Sequence, residues 1–446
     1  MSAREVARDV VLAVARDDAY ANLLLPQRIR DARLSPADAA LATELAYGAL
    51  RWQGQHDALI ADAAGRPIDA IDPTTLATLR IGAHQLTRMR IPAHAAVHET
   101  VALLGRDRGR RGFANAVLRR LSEDPEARLA RLADGLGGDD RLGLETAHPA
   151  WVLRALRRAL DAEGAADELP ALLDADNAPP AVHLVALPGR GEPDAALAPT
   201  ASPLGRVAPA GDPARLPEVA SGAWRVQDAG SQLAALALSR AEPVRAGERW
   251  LDLCAGPGGK AALLAAEAAR TGASLEANEV SRHRAKLVRD ALRGIEGADG
   301  SRPRVVVGDG RRYRDEGPRF DRILLDAPCT GLGALRRRPE ARWRKQPTDV
   351  PELAALQAEL LEAAAAAVVP GGLVAYVTCS PHLAETRAVV SRAASLGLEP
   401  VDTRAVLREV APGIALGETG DAAQLWPHRN GTDAMFVQLL RRGAEG

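Results

Sequence analysis

A chain of 446 residues, 47% hydrophobic and 26% charged, has the composition of a soluble globular protein and length for roughly two to four domains. Its formal net charge of -1 gives no whole-chain sign of a nucleic-acid partner, so any electrostatic argument must rest on local clusters. Only three cysteines occur, which argues against a disulfide framework and against a clustered zinc site, and no metal is expected.

The amino terminus, MSAREVARDV, is charged from its fourth residue and lacks the apolar stretch of a secretory signal. No run of about 18 apolar residues appears elsewhere, so a cytoplasmic protein without a membrane partner is expected. Residues 4–121 read as a helical unit, because apolar positions recur at helical spacing in VARDVVLAVA, ALATELAYGALRW, TTLATLRIGAHQLTRM and AAVHETVALLG. Pro36 and Pro73 stand where helices begin, with Ser35 and Asp72 before them as N-caps, and Gly65 and Pro92 mark breaks. A basic cluster, RDRGRRGFANAVLRR, closes this unit and reads equally as a solvated helix end or an RNA contact. From 122 to 225 the pattern weakens into short apolar pieces; NAPPAVHLVALPG predicts a turn and a strand, and GDPARLPEVASG a surface or disordered loop. Domains are therefore expected at 1–125, 126–225 and 226–446, the middle one a small connecting subdomain.

From 226 onward strand-like ERWLDLC, ASLEANE, RPRVVVGD, FDRILLDAP and GGLVAYVTC alternate with alanine- and leucine-rich helical stretches, which predicts an α/β fold with a mostly parallel sheet covered by helices. Ligands of such sheets bind beyond the carboxyl ends of the strands. After the first of these strands comes Cys254, Ala255, Gly256, Pro257, Gly258, Gly259 and Lys260, opening directly into a helix. The glycines permit close backbone approach to a small molecule, yet the spacing is neither that of a dinucleotide fingerprint nor of a phosphate-binding loop. Glu279 ends the second strand at the distance where a carboxylate accepts from ribose hydroxyls, and Asp309 ends the third, suited to an adenine amino group. Together they describe a nucleoside cradle without phosphates.

The fourth strand runs into Asp326 and Cys329, and the next ends at Cys379, so two thiols are expected at neighbouring strand tips on the side of the cradle. Cys254 reads as a small packing residue of the glycine loop. Methylation of carbon 5 of a cytosine needs such an arrangement: that carbon is a poor nucleophile until a thiolate adds to carbon 6. A carboxyl such as Asp326 would hold ring nitrogen 3, and a second cysteine would assist when the carbon-5 proton leaves. Following the DAPC loop, RRRPEARWRK places Arg336, Arg337, Arg338, Arg342, Arg344 and Lys345 around Trp343 with one acidic residue, Glu340, a pattern expected to track phosphates and stack a base of single-stranded RNA.

VQDAGSQLAA, LDLCAGPGGK, LLDAPCTGLGALRRRPEARW and YVTCSP resemble the RsmB-like (Sun/Fmu) branch of the RNA cytosine-5 methyltransferases related to the nucleolar Nop proteins. AYGALRW, LRIGAHQL, IPAHAAVHETVAL and GFANAVLRRL resemble the NusB-like domain carried in front by that branch. The resemblance covers nearly the whole chain. It implies a Rossmann-like class I methyltransferase domain preceded by an all-α NusB-like domain and a small α+β subdomain, using S-adenosylmethionine on ribosomal RNA as a monomer. It assigns cofactor contacts to Cys254 through Lys260, Glu279, Asp309 and Asp326, makes Cys379 the nucleophile and gives Cys329 the release of product. The chain departs from the pattern at Glu279, where aspartate is usual, at Gly256, where alanine is common, and at Ala434, which replaces a glycine. Alternative readings are a tRNA or DNA cytosine methyltransferase, the latter using Cys329 as nucleophile, and a noncatalytic RNA-binding or antitermination factor. An amino methyltransferase would show an aromatic residue in the DAPC motif, which has none.

Overall fold

The protein, described here by a computed structural model over residues 1–17 and 19–444, forms two compact units. One comprises Met1–Arg154 with Leu335–Lys345; the other runs over Ala155–Ala334 and from Gln346 to the end of the described chain.

The first unit is helical. Ser2 opens the helix Ala3–Arg16 with a capping box to Glu5, Ser35 accepts from the Asp38 N–H ahead of Pro36–Arg51, and Asp72 does the same for Thr75 ahead of Pro73–Arg88. Pro36 and Pro73 occupy the first turns, where a missing N–H costs nothing. Gly65, with φ of 65°, closes Gln53–Ala64 in the left-handed region. Apolar faces of these helices bury Val6, Val10, Leu45, Ala49 and Ile81 in one cluster, and Leu59, Leu79, Val117 and Leu118 in another. Arg80 and Asp57 form a two-pronged ion pair at 2.7 and 2.8 Å between helices.

The unit extends past the boundary expected near residue 125. Helices Pro125–Asp134 and Gly138–Thr146 join it through Leu129 and Leu132, packed against the second cluster, and through polar ties, Arg128 to Asp62 and the Gln55 side-chain amide to the Leu144 and Glu145 carbonyls. Their weak apolar pattern hid that attachment. The expected connecting subdomain 126–225 therefore does not stand apart: its first part belongs to the helical unit and its remainder to the second unit. That remainder includes a three-stranded antiparallel sheet of β1 (His183–Ala186), β2 (Gly205–Val207) and β3 (Trp224–Val226), ordered β2-β1-β3. The uncertain GDPARLPEVASG segment forms a 3-10 turn at Pro213–Arg215 and a short helix at Pro217–Ser221.

The main sheet has eight strands: β4 (Arg249–Asp252), β5 (Ser274–Glu279), β6 (Arg304–Val307), β7 (Phe320–Asp326), β8 (Val368–Thr378), β9 (Leu398–Val401), β10 (Ala423–Gln424) and β11 (Phe436–Arg442). Their order is β10-β11-β8-β7-β4-β5-β6, with β9 also paired to β11. Strands β4 to β8 pair in parallel, and β11 is antiparallel to its three neighbours. Alternation along β7 sends Leu324 into the core beneath helices Ala229–Ser239 and Gly259–Thr271, and Ile323 and Leu325 into the core beneath Asp349–Ala367. Strand order reverses between β4 and β7, so the loops after these two strands diverge and leave a crevice at their carboxyl ends. Of the sequence-predicted residues, Cys254 to Lys260 follow β4, Glu279 ends β5, Asp309 lies beyond β6, Asp326 ends β7 with Cys329 after it, and Cys379 follows β8, whereas Arg336 to Lys345 belong to the helical unit.

Candidate active site

Beyond β4 the chain turns through Cys254–Gly258 into the helix Gly259–Thr271. Ala255 N–H donates to the Asn278 carbonyl at 2.8 Å and Gly256 N–H to Glu279 Oε2 at 3.0 Å, which ties the loop to the end of β5. The other Glu279 oxygen accepts from Ser281 N–H at 2.9 Å, and Arg284 reaches the Gly256 carbonyl at 2.5 Å. Gly258 has φ of +111°, and a Cβ there would lie 2.7 Å from that of Ala291. A Cβ on Gly256 would meet Glu279 Oε2 at 2.2 Å. Two of the departures from the family pattern therefore compensate: the extra methylene of Glu279 carries its carboxylate into the space that an alanine methyl would fill.

The cradle fits a ligand that brings hydrogen-bond donors. Asp252 is fully buried at the end of β4, and neither carboxylate oxygen has a well-formed hydrogen bond among the described residues. Burial, then the nearby Asp326, push its pKa up to about 8 against the pull of Lys260 and the Cys254 N–H. Both polar atoms of the Gln227 side chain, beside Gly259, are likewise buried and have no hydrogen-bond partner among the described residues. Buried acceptors without donors are costly. The ammonium group and ribose hydroxyls of S-adenosylmethionine are donors of the required kind, and Glu279, with a second lone pair on each oxygen, retains capacity to accept. Asp309 stands differently from expectation: β6 stops at Val307, and Asp309 caps the 3-10 helix Gly310–Asp315 with both oxygens on Arg311. Those hydrogen bonds lower its pKa.

At the end of β7, Asp326 Oδ2 accepts from Lys260 Nζ at 2.9 Å. Burial opposes the Lys260 charge, but Asp326 and the nearby Cys379 outweigh it and hold its pKa above the ordinary value. Because Asp326 pairs with Val377 in register, the loops after β7 and β8 emerge side by side. The Cys329 and Cys379 sulfurs lie 3.4 Å apart, both on partly exposed residues. The hydrogen bond to Cys379, then burial, then the negative charges of Cys379, Glu385 and Asp326 push the Cys329 thiol well above the usual range. The hydrogen bond between the sulfurs, burial and the acidic neighbours all favour the thiol form of Cys329, and the charge interaction between Lys260 and Cys379 favours the Lys260 cation. Cys254 packs against the core around Tyr313, and burial among Asp252, Asp326 and Glu279 raises its thiol strongly.

Two contributors escaped the sequence reading. Gly333 donates to the Cys379 carbonyl and accepts from Ala434 N–H, each at 2.8 Å, so the TGLG loop and the GTDAMF loop together support the sulfur-bearing turn. A Cβ at Gly333 would come within 2.0 Å of the Ala434 oxygen, which explains the glycine. Glu385 lies beneath both thiol loops, and nothing in its local sequence marks it.

The basic segment after the DAPC loop belongs to the helical unit and is not a solvent-facing strip. Arg342 is fully buried and donates to the carbonyls of Arg51 and Ala147, Trp343 gives its indole N–H to Leu50 O at 2.9 Å, and Arg344 reaches Val14 O and Ala19 O. Several of these carbonyls sit at helix C-termini, which lack intrahelical donors and carry partial negative charge. Arg336 is also buried, and its carbonyl accepts from Arg51; Arg337, Arg338 and Lys345 keep partial exposure. This corrects the expectation of phosphate contact for Arg342 and of base stacking for Trp343, whose ring packs against Gly54. Trp343→Ala is expected to destabilise the helical unit by about 2–3 kcal/mol in denaturant unfolding while RNA affinity of the folded variant holds. Unchanged stability with weakened RNA binding would instead restore the stacking role. In the other basic cluster, Asp107 caps the helix Arg108–Glu123 and pairs with Arg110 at an exposed helix start.

Comparison with known proteins points to a family. The sequence model of the family described as 16S rRNA methyltransferase RsmB/F matches residues 241–441, and that of the NusB family matches residues 1–123. The chain is 48% identical to the putative methyltransferase Rv1407 of Mycobacterium tuberculosis, over 99% of this chain and 96% of the relative. It is 35% identical to ribosomal RNA small subunit methyltransferase B of Pseudomonas putida, over 87% of this chain and 88% of the relative. A solved structure, that of PH0851, superposes with a TM-score of 0.81 over 99% of each chain at 20% identity, a likeness of fold.

Proposed function

Because the chain belongs to the RsmB/F family of ribosomal RNA methyltransferases and is thereby an S-adenosylmethionine-dependent enzyme, we propose that it methylates carbon 5 of a cytosine in small-subunit ribosomal RNA through a covalent bond to Cys379. The observation that carries this reading is the 3.4 Å approach of two thiols at adjacent strand tips, with the Lys260–Asp326 pair beside them.

In this reading the Cys379 thiolate donates an electron pair to carbon 6 of the pyrimidine, and the displaced double-bond electrons enrich carbon 5. A proton drawn from the Lys260–Asp326 pair and passed to ring nitrogen 3 would neutralise charge as the sulfur adds. S-adenosylmethionine, when bound, supplies an electrophilic methyl group for carbon 5. Residues Cys254–Lys260, Glu279, Asp309 and Asp326 would hold it, with Asp252 and Gln227 as further acceptors from the buried floor. A base, the Cys329 thiolate in this reading, then takes the carbon-5 proton; the electrons of that bond restore the ring double bond, the carbon–sulfur bond breaks to release Cys379 as thiolate, and the proton on ring nitrogen 3 returns to Asp326.

The noncatalytic alternative falls with family membership. The enzyme is read as a cytoplasmic monomer acting on RNA; no helix among the described residues is long and apolar enough to cross a membrane. Bisulfite sequencing of ribosomal RNA from a deletion strain tests the proposal: one cytosine protected in the parent is expected to lose protection. Retention of every protected cytosine, or incorporation of labelled methyl into another base by the purified protein, would overturn it.

A further inference from the structure

Glu385 follows the Cys379 loop and is fully buried, yet forms no ion pair among the described residues. His382, three residues before it, is disfavoured as a cation by its own burial. Instead, four hydrogen-bond donors converge on the carboxylate. Oε1 accepts from Thr330 N–H at 2.7 Å and from the Gln357 amide at 3.2 Å; Oε2 accepts from Thr330 Oγ1 at 2.5 Å and Ser380 Oγ at 2.6 Å. Thr330 and Ser380 are the residues directly after Cys329 and Cys379. The cage is closed on its other sides by the Tyr376 hydroxyl, which donates to the Glu385 carbonyl at 2.6 Å, and by Thr378 Oγ1, which donates to the Ser380 carbonyl at 2.8 Å.

Backbone pairing joins the two thiol loops before and after the sulfurs, at Ala327 N–H to Val377 O and at Gly333 N–H to Cys379 O. Between those points the course of each loop is set by side-chain ties, and Glu385 is the group that grips both. We propose that Glu385 is a positioning residue for the methylation reaction: by binding the residue after each cysteine through one carboxylate, it fixes the separation and aim of the two sulfurs. It touches neither substrate nor cofactor in this role. A reacting group released by about 1 Å commonly loses on the order of 100-fold in rate, so the effect falls on turnover.

This inference rests on the two-thiol chemistry proposed above, and its test separates the two. Glu385→Ala opens the cage, whereas Glu385→Gln keeps its shape, since the Thr330 and Ser380 hydroxyls can turn to accept from the new amide. Turnover of Glu385→Ala is expected to fall roughly 100-fold, with cofactor affinity and KM for RNA held, and Glu385→Gln is expected to recover most of that loss. The pair Thr330→Val with Ser380→Ala removes the two hydroxyl ties to Oε2 from the opposite side while leaving the Thr330 N–H tie, and is expected to reproduce most of the loss, which keeps the test open should Glu385→Ala fail to fold. A folded Glu385→Ala enzyme with turnover within roughly twofold of the parent, or with cofactor affinity lost in step with turnover, overturns the inference. Were the two-thiol reading itself wrong, Cys379→Ala would still methylate. If only the role of Glu385 is wrong, Cys379→Ala is inactive while Glu385→Ala works normally.

Discussion

Replacing Cys379 by alanine is expected to reduce methylation by roughly 10⁴-fold or more, the scale on which loss of a covalent nucleophile acts, while cofactor binding survives. The split follows from the placement of the parts. Cys379 stands at the tip of β8, whereas the cradle is made by the loop after β4 and the end of β5, joined through Gly256 and Glu279. Removing one sulfur deletes none of the hydrogen bonds made on that cradle by Ala255, Gly256 or Arg284. Serine is not expected to rescue, because its hydroxyl is a far weaker nucleophile at neutral pH than a thiolate. Transfer of labelled methyl to RNA and calorimetric cofactor binding measure the two halves separately. Retained transfer by Cys379→Ala, with transfer abolished in Cys329→Ala, would give the nucleophile's role to the other sulfur, as in the DNA-type reading.

The sequence reached the parts of this site that local pattern determines. Short strand-like apolar runs alternating with alanine- and leucine-rich helical stretches marked β4, β5, β7 and β8, and a cysteine following each of β7 and β8 becomes informative once parallel pairing makes those strands neighbours. What it missed depends on contacts between distant segments. Arg342 and Trp343 look like a nucleic-acid strip because charge and aromaticity are local properties, whereas the helix-end carbonyls that engage them are contributed from residues 50, 51 and 147. Glu385 is an ordinary surface-type residue by composition, and its burial is intelligible only when Thr330 is brought against Ser380. The compensation between Gly256 and Glu279 was visible as two separate departures, but its sign required knowing that their atoms compete for one volume. The antiparallel placement of β11 between β8 and β10 similarly depends on pairing that no single strand encodes.

Cys329→Ser should behave in the opposite way from Cys379→Ala: the enzyme is expected to attack its RNA, accept the methyl group and then remain attached. The electrostatics of the pair give the reason. The strongest influence holding the proton on Cys329 is its hydrogen bond to Cys379, followed by burial and by the charge on Cys379. Once Cys379 is bonded to carbon 6 it carries no charge and no longer accepts that hydrogen bond, so two of the forces keeping Cys329 protonated vanish and its pKa falls. Burial and the charges of Glu385 and Asp326 still act on Cys329, but its proton is now more easily lost to solvent, and the thiolate so formed can take the carbon-5 proton. A serine hydroxyl is far too weakly acidic to follow the same course, and the elimination that expels Cys379 stalls. A covalent enzyme–RNA band on a denaturing gel is therefore expected with Cys329→Ser, and absent when Cys379→Ala is added to it. Normal turnover by Cys329→Ser, or a trapped band that survives removal of Cys379, would show that the 3.4 Å contact between the sulfurs has no part in product release.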